Sequence, residues 1–248
     1  MIYLISDTHG DFQKLYEFFK QKREKLCEND YVIVLGDFGA WEELTDPIRE
    51  LSERAPCQIL FLDGNHESFR LLNELPVTEK WGGKVQEVNG VYHLCRGEVF
   101  DLPTKGGAIK LGVLGGGTSR DRNERTQNVD WFEEEEITDG DVERLVENVN
   151  RRDGIDLLLT HSMSAAAKIE LYAEQCYYTN RQADSLTPTK SDYKVRDAIS
   201  ALRNYAFDCY CGHEHMDRNI VVDNRNYRIV YQDVVPVIKN RECCRFTE

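Results

Sequence analysis

Six histidines occur in the 248-residue chain, and five of them, His9, His66, His161, His213 and His215, stand where a run of apolar residues ends. Asp7, Asp37 and Asn65 share that placement. Imidazole nitrogens with carboxylate and amide oxygens form a donor set suited to divalent transition metals. One such residue alone is better explained as a structural histidine, a helix cap or a turn bond. Eight at strand ends are not. In extended backbone, residues i and i+2 point the same way, so Asp7 and His9 can grip one ion, and His213 and His215 can both face the site. Asn65 and His66 are adjacent and diverge, so one can ligate while the other stays free for proton transfer. Asp37 follows Gly36, where a tight turn can place its carboxylate between two ions.

The apolar pattern predicts the elements that must carry these residues. Ile2 to Ile5 reads as a strand, and Asp11 can cap a helix whose apolar face is Phe12, Leu15, Tyr16 and Phe19. Tyr31 to Leu35 is a second buried strand, a short helix runs from about Thr45 to Ser52, and Ile59 to Leu62 is a third strand. Ser68 to Leu75 reads as helical. Such strand–loop–helix units imply a largely parallel sheet whose loops gather along one edge. Val85 to Val88, Val91 to Leu94, Glu98 to Leu102 and Ala108 to Leu114 read as antiparallel strands of a second sheet. Thr138 and Asp141 form a capping-box pattern before a helix with Val142, Leu145, Val146 and Val149 inward. Asp156 to Leu159 is a strand leading to His161. A helix from about Asp192 to Asn204 turns Val195, Ile199 and Leu202 to one side. The strand FDCYC, with small buried Cys209 and Cys211, leads to His213, and Ile220 to Val222 with Tyr227 to Tyr231 suggests a hairpin.

Composition narrows the class. The chain can bury a large core, and no repeat or linker divides it, so residues 1–248 are expected to form one domain with a lid or insertion at about 162–190. No secretory signal and no apolar run of about 20 residues is evident, so the expected location is the cytoplasm, without a membrane partner. The net charge of −13 disfavours long nucleic acids, which need a basic footprint. A small phosphorylated partner remains compatible, because bound metal overrules the global sign locally. Glu133 to Glu136 reads as a solvated turn or helix start. The eight cysteines include no CxxC pair and read as free thiols, with Cys243 and Cys244 in a polar tail.

Taken in order, Asp7-x-His9, Gly36-Asp37, Gly64-Asn65-His66-Glu67, His161 and Gly212-His213-x-His215 resemble the calcineurin-like metallophosphoesterase superfamily across most of the chain. The resemblance implies an α/β fold, a four-layer αββα sandwich with two mixed β-sheets. It implies that Asp7, His9 and His215 bind one metal, that Asn65, His161 and His213 bind a second, and that Asp37 bridges both. It assigns His66 a substrate contact and a proton-donor role. Two divalent ions against two carboxylates leave an electropositive site in an acidic protein. Such a pair, about 3.5–4 Å apart, binds a phosphoryl oxygen and activates a bridging hydroxide for in-line attack, with His66 protonating the leaving oxygen. Nitrogen and oxygen ligands without thiolate point to Mn, with Fe, Zn, Ni or Co as alternatives. The expected activity is hydrolysis of phosphomonoesters or small phosphodiesters, nucleotides among them. The alternatives are a nuclease acting on short oligonucleotides and a non-catalytic scaffold of the same fold. Retention of all eight positions disfavours the scaffold, and the oligomeric state is left open.

Phe38-Gly39-Ala40 after Asp37 lacks the Asp-Arg pair of the Ser/Thr protein phosphatase branch, and Ser162-Met163-Ser164 stands where many relatives carry prolines. A looser likeness, running from Asp63-Gly64-Asn65-His66 through Trp81-Gly82-Gly83-Lys84 and Leu114-Gly115-Gly116 to Trp131-Phe132, is to a bacterial and phage-associated subgroup. GGGTSRDRNERT exposes Ser119, Arg120, Arg122 and Arg125 to a substrate phosphate, Arg122 and Arg125 being the candidates for bidentate contact. The plainer alternative is a loop held by local Arg–Asp pairs. Tyr172, Tyr177, Tyr178, Asn180 and Arg181 fall in the candidate lid, where tyrosines could stack on a nucleobase; buried packing is the commoner role of such tyrosines.

Overall fold

Two sheets carry the strands that end at the histidines. The computed structural model describes residues 1–179 and 187–237, with backbone alone for 174–179. The first sheet has the order β13 (Val235–Pro236), β1 (Ile2–Ile5), β2 (Tyr31–Leu35), β3 (Gln58–Leu62), β6 (Val91–Leu94), β5 (Gly83–Val88), β4 (Val77–Lys80). The second has the order β11 (Arg218–Val222), β12 (Arg225–Ile229), β10 (Asp208–Cys211), β9 (Leu157–Thr160), β8 (Gly107–Leu114), β7 (Val99–Thr104). Both are mixed. β1, β2, β3 and β6 run parallel in the first, and β12, β10, β9 and β8 in the second, with antiparallel strands at the edges.

The alternation within each strand explains the layering. In β2, Val32 and Val34 pack with Leu15, Phe18 and Phe19 of α1 (Gln13–Lys22) and Ile48 and Leu51 of α2 (Thr45–Arg54). Its other residues, Tyr31, Ile33 and Leu35, meet Leu111, Val113, Leu157 and Leu159 of the second sheet. Both faces are covered, which is why β2 is an unbroken apolar run. Beyond the second sheet, Leu158, Cys209 and Cys211 pack against α4 (Asp139–Arg151), α5 (Ala165–Thr179) and α6 (Lys190–Ala201) through Leu145, Leu171 and Val195. The layers are therefore helix, sheet, sheet, helix. Each buried Leu, Ile or Phe contributes roughly 1.5–3 kcal/mol.

Local signals act as expected in several places. The Asp11 carboxylate accepts from Gln13 N at 3.0 Å at the start of α1. Thr138 and Asp141 form both bonds of a capping box at α4, such a cap being worth about 1 kcal/mol. A second box, Thr189 with Asp192, opens α6 at Lys190, earlier than expected. Ser68 caps α3 (Phe69–Glu74).

One expectation is corrected. Residues 85–94 do not belong to the second sheet, because β6 pairs in parallel with β3 through Leu60↔Tyr92 and Phe61↔His93 and draws β5 and β4 after it. β4 itself was not anticipated; it is an edge strand, mostly exposed, with Glu79 and Lys80 at its end. The stretch at 162–190 contains α5, whose Ala165-Ala166-Ala167 start suits a helix and whose Ala165, Ala167 and Leu171 are buried. Cys27, Cys57, Cys95, Cys209 and Cys211 are free thiols, as expected, whereas the side chain of Cys176 and all of Cys243 and Cys244 lie outside what is described. Among the described residues no helix is long and apolar enough to cross a membrane.

Candidate functional site

The C-terminal ends of β1, β2 and β3 from one sheet and β9 and β10 from the other meet along one edge. There the β1 and β2 chains stay paired beyond the sheet, through Asp7 N to Gly36 O (3.1 Å), His9 N to Asp37 O (2.7 Å) and Gly10 N to Phe38 O (2.9 Å). Five of the expected ligands take left-handed backbone: Asp7 (φ 55°), His9 (48°), Asp37 (49°), His213 (67°) and His215 (48°). The i, i+2 argument from extended backbone is thereby corrected. Asp7 and His9 converge because the chain coils at each, a conformation that Asp and His tolerate better than most side chains. Such strain costs of order 1–3 kcal/mol per residue and persists where surrounding contacts enforce it.

Two donor groups result. Asp7, His9, Asp37 and His215 bring one ligand atom each within 4.8 Å of one another, and Asp37, His161 and His213 do the same. Asp37 belongs to both. Its Oδ2 lies 3.7 Å from His9 Nε2, and its Oδ1 lies 3.3 Å from His161 Nε2. His215 Nε2 is 3.2 Å from Asp7 Oδ1. His161 Nε2 is 3.2 Å from His213 Nδ1 and 3.1 Å from Asn65 Oδ1, which adds Asn65 to the second group. Ligands about 2.0–2.2 Å from one ion stand about 3.0–3.5 Å apart, so these spacings suit coordination.

The chemistry of the donors tests the fit of a cation independently. His161 Nδ1 donates to Leu35 O at 2.8 Å, which leaves Nε2 as the nitrogen that can ligate. Asp7 Oδ1 is buried and accepts no hydrogen bond of normal geometry. Burial opposes the charge of Asp37, yet His161, His66 and His9 hold its carboxyl well below the usual range. Burial likewise opposes protonation of His161, but Asp37, Asp7 and the Leu35 carbonyl lift it to about 10. A proton held that firmly marks a sink for positive charge. Burial and the His161 charge push His213 well below 6.5, and the Asp7 carboxylate beside its Nε2 raises His215. The residues fit divalent cations.

Close backbone approach makes room. Gly36 is left-handed (φ +85°), and a Cβ there would lie 2.3 Å from His161 Nδ1; one on Gly64 would lie 2.1 Å from Asp37 Oδ1. Glu67, fully buried, accepts three main-chain N–H groups, from Phe38 (2.7 Å), Gly39 (3.0 Å) and Ala40 (2.6 Å), and so clamps the loop that carries Asp37. Burial and Asp37 push the Glu67 carboxyl up to about 8, yet every contact comes from an N–H donor, so the anion is the form the loop binds.

Sequence reasoning missed further supports. Glu135, read as part of a solvated acidic run, is buried and accepts from Ser119 N (2.7 Å) and Oγ (2.8 Å). Ser119 Oγ in turn accepts from Asn65 Nδ2 at 3.0 Å, which aims Asn65 Oδ1 at His161. Lys168 of α5 is buried against Asp192 (3.1 Å) and Glu214 (2.5 Å), and Tyr172 donates to Glu214, the residue between His213 and His215. Tyr172 thus braces the loop that carries His213 and His215. The other lid candidates, Asn180, Arg181 and the side chains of Tyr177 and Tyr178, lie outside the described residues. Tyr231 stacks on His215 (4.7 Å, 7°). No sequence signal announced these pairs, because each joins residues far apart in the chain.

A cavity of about 400 Å³ opens on the site, lined by residues that include Asn65, His66, Arg120, Arg125, Lys168, His213 and His215. A larger cleft of about 530 Å³, around Tyr205, Phe207 and Arg225, contains none of the ligands. Of the two arginines expected at a phosphate, Arg125 lines the cavity, whereas Arg122 is exposed in the turn Arg122–Glu124 and is not among its lining residues. Arg120 also lines the cavity. Burial and the Arg125 charge lower the His66 pKa.

A family model described as calcineurin-like phosphoesterase matches residues 1–217. The chain belongs to that family and is a metal-dependent phosphoesterase. It is similar in structure to TT1561 of Thermus thermophilus (TM-score 0.55, 13% identity, 93% of this chain and 89% of that one). It is also similar to a putative 5'-nucleotidase from Staphylococcus aureus in complex with alpha-ketoglutarate (TM-score 0.49, 14% identity, 93% and 48%). A third similar structure is the phosphopantetheinyl hydrolase PptH from Mycobacterium tuberculosis (TM-score 0.45, 18% identity, 93% and 89%). At 13% identity the first of these likenesses concerns the fold alone. Among curated proteins none matches this sequence.

Proposed function

We propose that the chain hydrolyses phosphomonoesters or small phosphodiesters, nucleotides among them, at a dinuclear centre. The observation that carries this reading is the sharing of Asp37 between two donor groups. Asp7, His9, Asp37 and His215 would hold one cation, and Asp37, Asn65, His161 and His213 the other, with Mn the first candidate. When bound, such a pair supplies Lewis-acid polarisation of a phosphoryl group and lowers the pKa of water.

The chain's own residues do the rest. Glu67 fixes the Asp37 loop, Ser119 fixes the amide of Asn65, and Lys168 with Tyr172 fixes the loop between His213 and His215. Arg120 and Arg125 bring cationic side chains to a cavity wall that also carries Asp121 and Glu214, the latter paired with Lys168, so bound cations would supply much of the positive charge a phosphorylated ligand needs. The test is a Mn-supplemented screen of p-nitrophenyl phosphate, bis-p-nitrophenyl phosphate, mononucleotides, cyclic nucleotides and dinucleoside polyphosphates. Hydrolysis that Asp37→Asn abolishes supports the reading. Equal inertness or equal activity of wild type and variant overturns it.

A further inference from the structure

His161 and His215 belong to different donor groups, and their rings are oriented by different means. The lone pair of an imidazole nitrogen lies in the ring plane, so a histidine ligates only when that plane is turned to the ion. Rotation about χ2 is soft, and something outside the side chain must set it. For His161 the hydrogen bond from Nδ1 to Leu35 O does so. His215 is half exposed, stands on left-handed backbone and has Nε2 3.2 Å from Asp7 Oδ1. Among the described residues its Nδ1 has no hydrogen-bond partner. Instead Tyr231 lies flat against the ring, 4.7 Å away and within 7° of parallel, while His9 meets it edge-on at 5.6 Å. Tyr231 is held in turn. Asp217 accepts from Tyr231 N on one oxygen and from Gln232 N on the other, both at 3.0 Å, and Val230 N donates to Cys211 O at 2.8 Å. Cys211 and Asp217 flank the stretch that carries His213 and His215, so the imidazole and its stacking partner ride on one frame. Lys14 of α1 brings its ammonium 5.1 Å from the centroid of the Tyr231 ring.

We propose that Tyr231 is the positioning residue of His215: its ring, anchored by Asp217, turns the imidazole toward the cation that Asp7, His9 and Asp37 would share. The proposal rests on the dinuclear phosphoesterase reading and names a residue outside the ligand set on which one of the two positions depends. The stack acts in two ways. It restricts the ring before the ion binds, so less freedom is lost on binding. An imidazole that ligates a divalent ion also takes up part of its charge, and the face of a phenol ring attracts positive charge, so the contact strengthens as the ion loads. The plainer role for Tyr231 is a surface cation–π pair with Lys14, which would leave metal binding untouched.

Titration of the metal-free protein with Mn, with free Mn read from its electron paramagnetic resonance signal, separates the two roles without recourse to turnover. Tyr231→Leu keeps apolar bulk and removes the flat ring, whereas Tyr231→Phe keeps the ring. The expected result is that Tyr231→Leu weakens one of the two Mn equivalents by about 10–100-fold and leaves the other within about threefold of wild type. Tyr231→Phe restores both to within about threefold, and Lys14→Gln changes neither. Tyr231→Leu added to His215→Ala costs no more than about threefold further, since residues acting through one contact are not additive. Unchanged binding in Tyr231→Leu overturns the proposal. So does equal weakening of both equivalents, which is general loosening of the fold, or a loss in Tyr231→Phe or Lys14→Gln as large as in Tyr231→Leu. Losses that multiply in the double variant overturn it equally. If Tyr231→Leu does not fold, Tyr231→Met carries the same comparison. A wild type that binds fewer than two equivalents overturns the dinuclear reading itself, whereas two wild-type equivalents indifferent to Tyr231 overturn this assignment alone.

Discussion

Glu67→Gln probes the clamp beneath Asp37. The native carboxylate accepts from Phe38 N at one oxygen and from Gly39 N and Ala40 N at the other. A glutamine amide offers one oxygen, which can satisfy Gly39 and Ala40, and then its NH₂ faces the Phe38 N–H. One buried donor loses its partner and two donors oppose each other, a cost of about 2–4 kcal/mol on the scale of about 1–3 kcal/mol per orphaned buried group. For a chain of this size each kcal/mol moves Tm by about 2–4 °C, so Tm falls by about 4–16 °C. The same change frees the loop that bears Asp37, whose carboxylate serves both donor groups, so Mn affinity falls more than about tenfold, the loss typical of disturbed supporting contacts to metal ligands. Thermal unfolding by circular dichroism and competition with a fluorescent chelator read the two effects. An unchanged Tm together with unchanged Mn affinity would refute the clamp.

Other consequences follow from the same geometry. Gly64→Ala places a Cβ against Asp37 Oδ1, 2.1 Å away in the native backbone, and is expected to lower metal content at equal Mn, read by elemental analysis, with little loss of helicity. His161 has its pKa raised to about 10, above the ordinary 6.5, so at pH 7 cation binding displaces its proton, and affinity rises with pH towards 10. Calorimetry at pH 7 in buffers of different ionisation enthalpy should therefore show release of at least one proton; buffer-independent heats contradict this. Burial pushes the thiols of Cys57, Cys95 and Cys209 up to about 12. In the native protein at pH 8 peptide mapping should find these three unmodified by iodoacetamide, and modified once the chain is unfolded.

The sequence made the parallel strands and their terminal candidate ligands readable because each is a local event, an apolar run that stops at a polar residue. Tyr31 to Leu35 followed by Gly36-Asp37 shows both in seven residues. Sheet membership was not local. Nothing in Val91 to Leu94 says that it lies beside β3 rather than beside β7, since that choice is made by pairing across some thirty residues. The coiling of the chain at Asp7 and His9 was equally hidden, because side-chain spacing was read on an extended backbone that the loop does not adopt. Glu135 illustrates a third limit. In an acidic run it looks solvated, and only the Ser119 amide and hydroxyl, sixteen residues earlier, explain its burial. The supports of the site, Glu67, Ser119, Lys168 and Tyr172, are polar residues whose partners the chain brings together only on folding.

The central claim is that Asp37 joins two cation sites into one hydrolytic centre. The most direct measurement is a Mn titration of the metal-free protein, following bound metal and p-nitrophenyl phosphate hydrolysis together, for wild type and Asp37→Asn. The account predicts two equivalents bound per wild-type chain, with hydrolysis appearing as the second loads, and neither full loading nor turnover in Asp37→Asn. A wild type that binds no more than one equivalent, or an Asp37→Asn variant that loads and turns over like wild type, contradicts it.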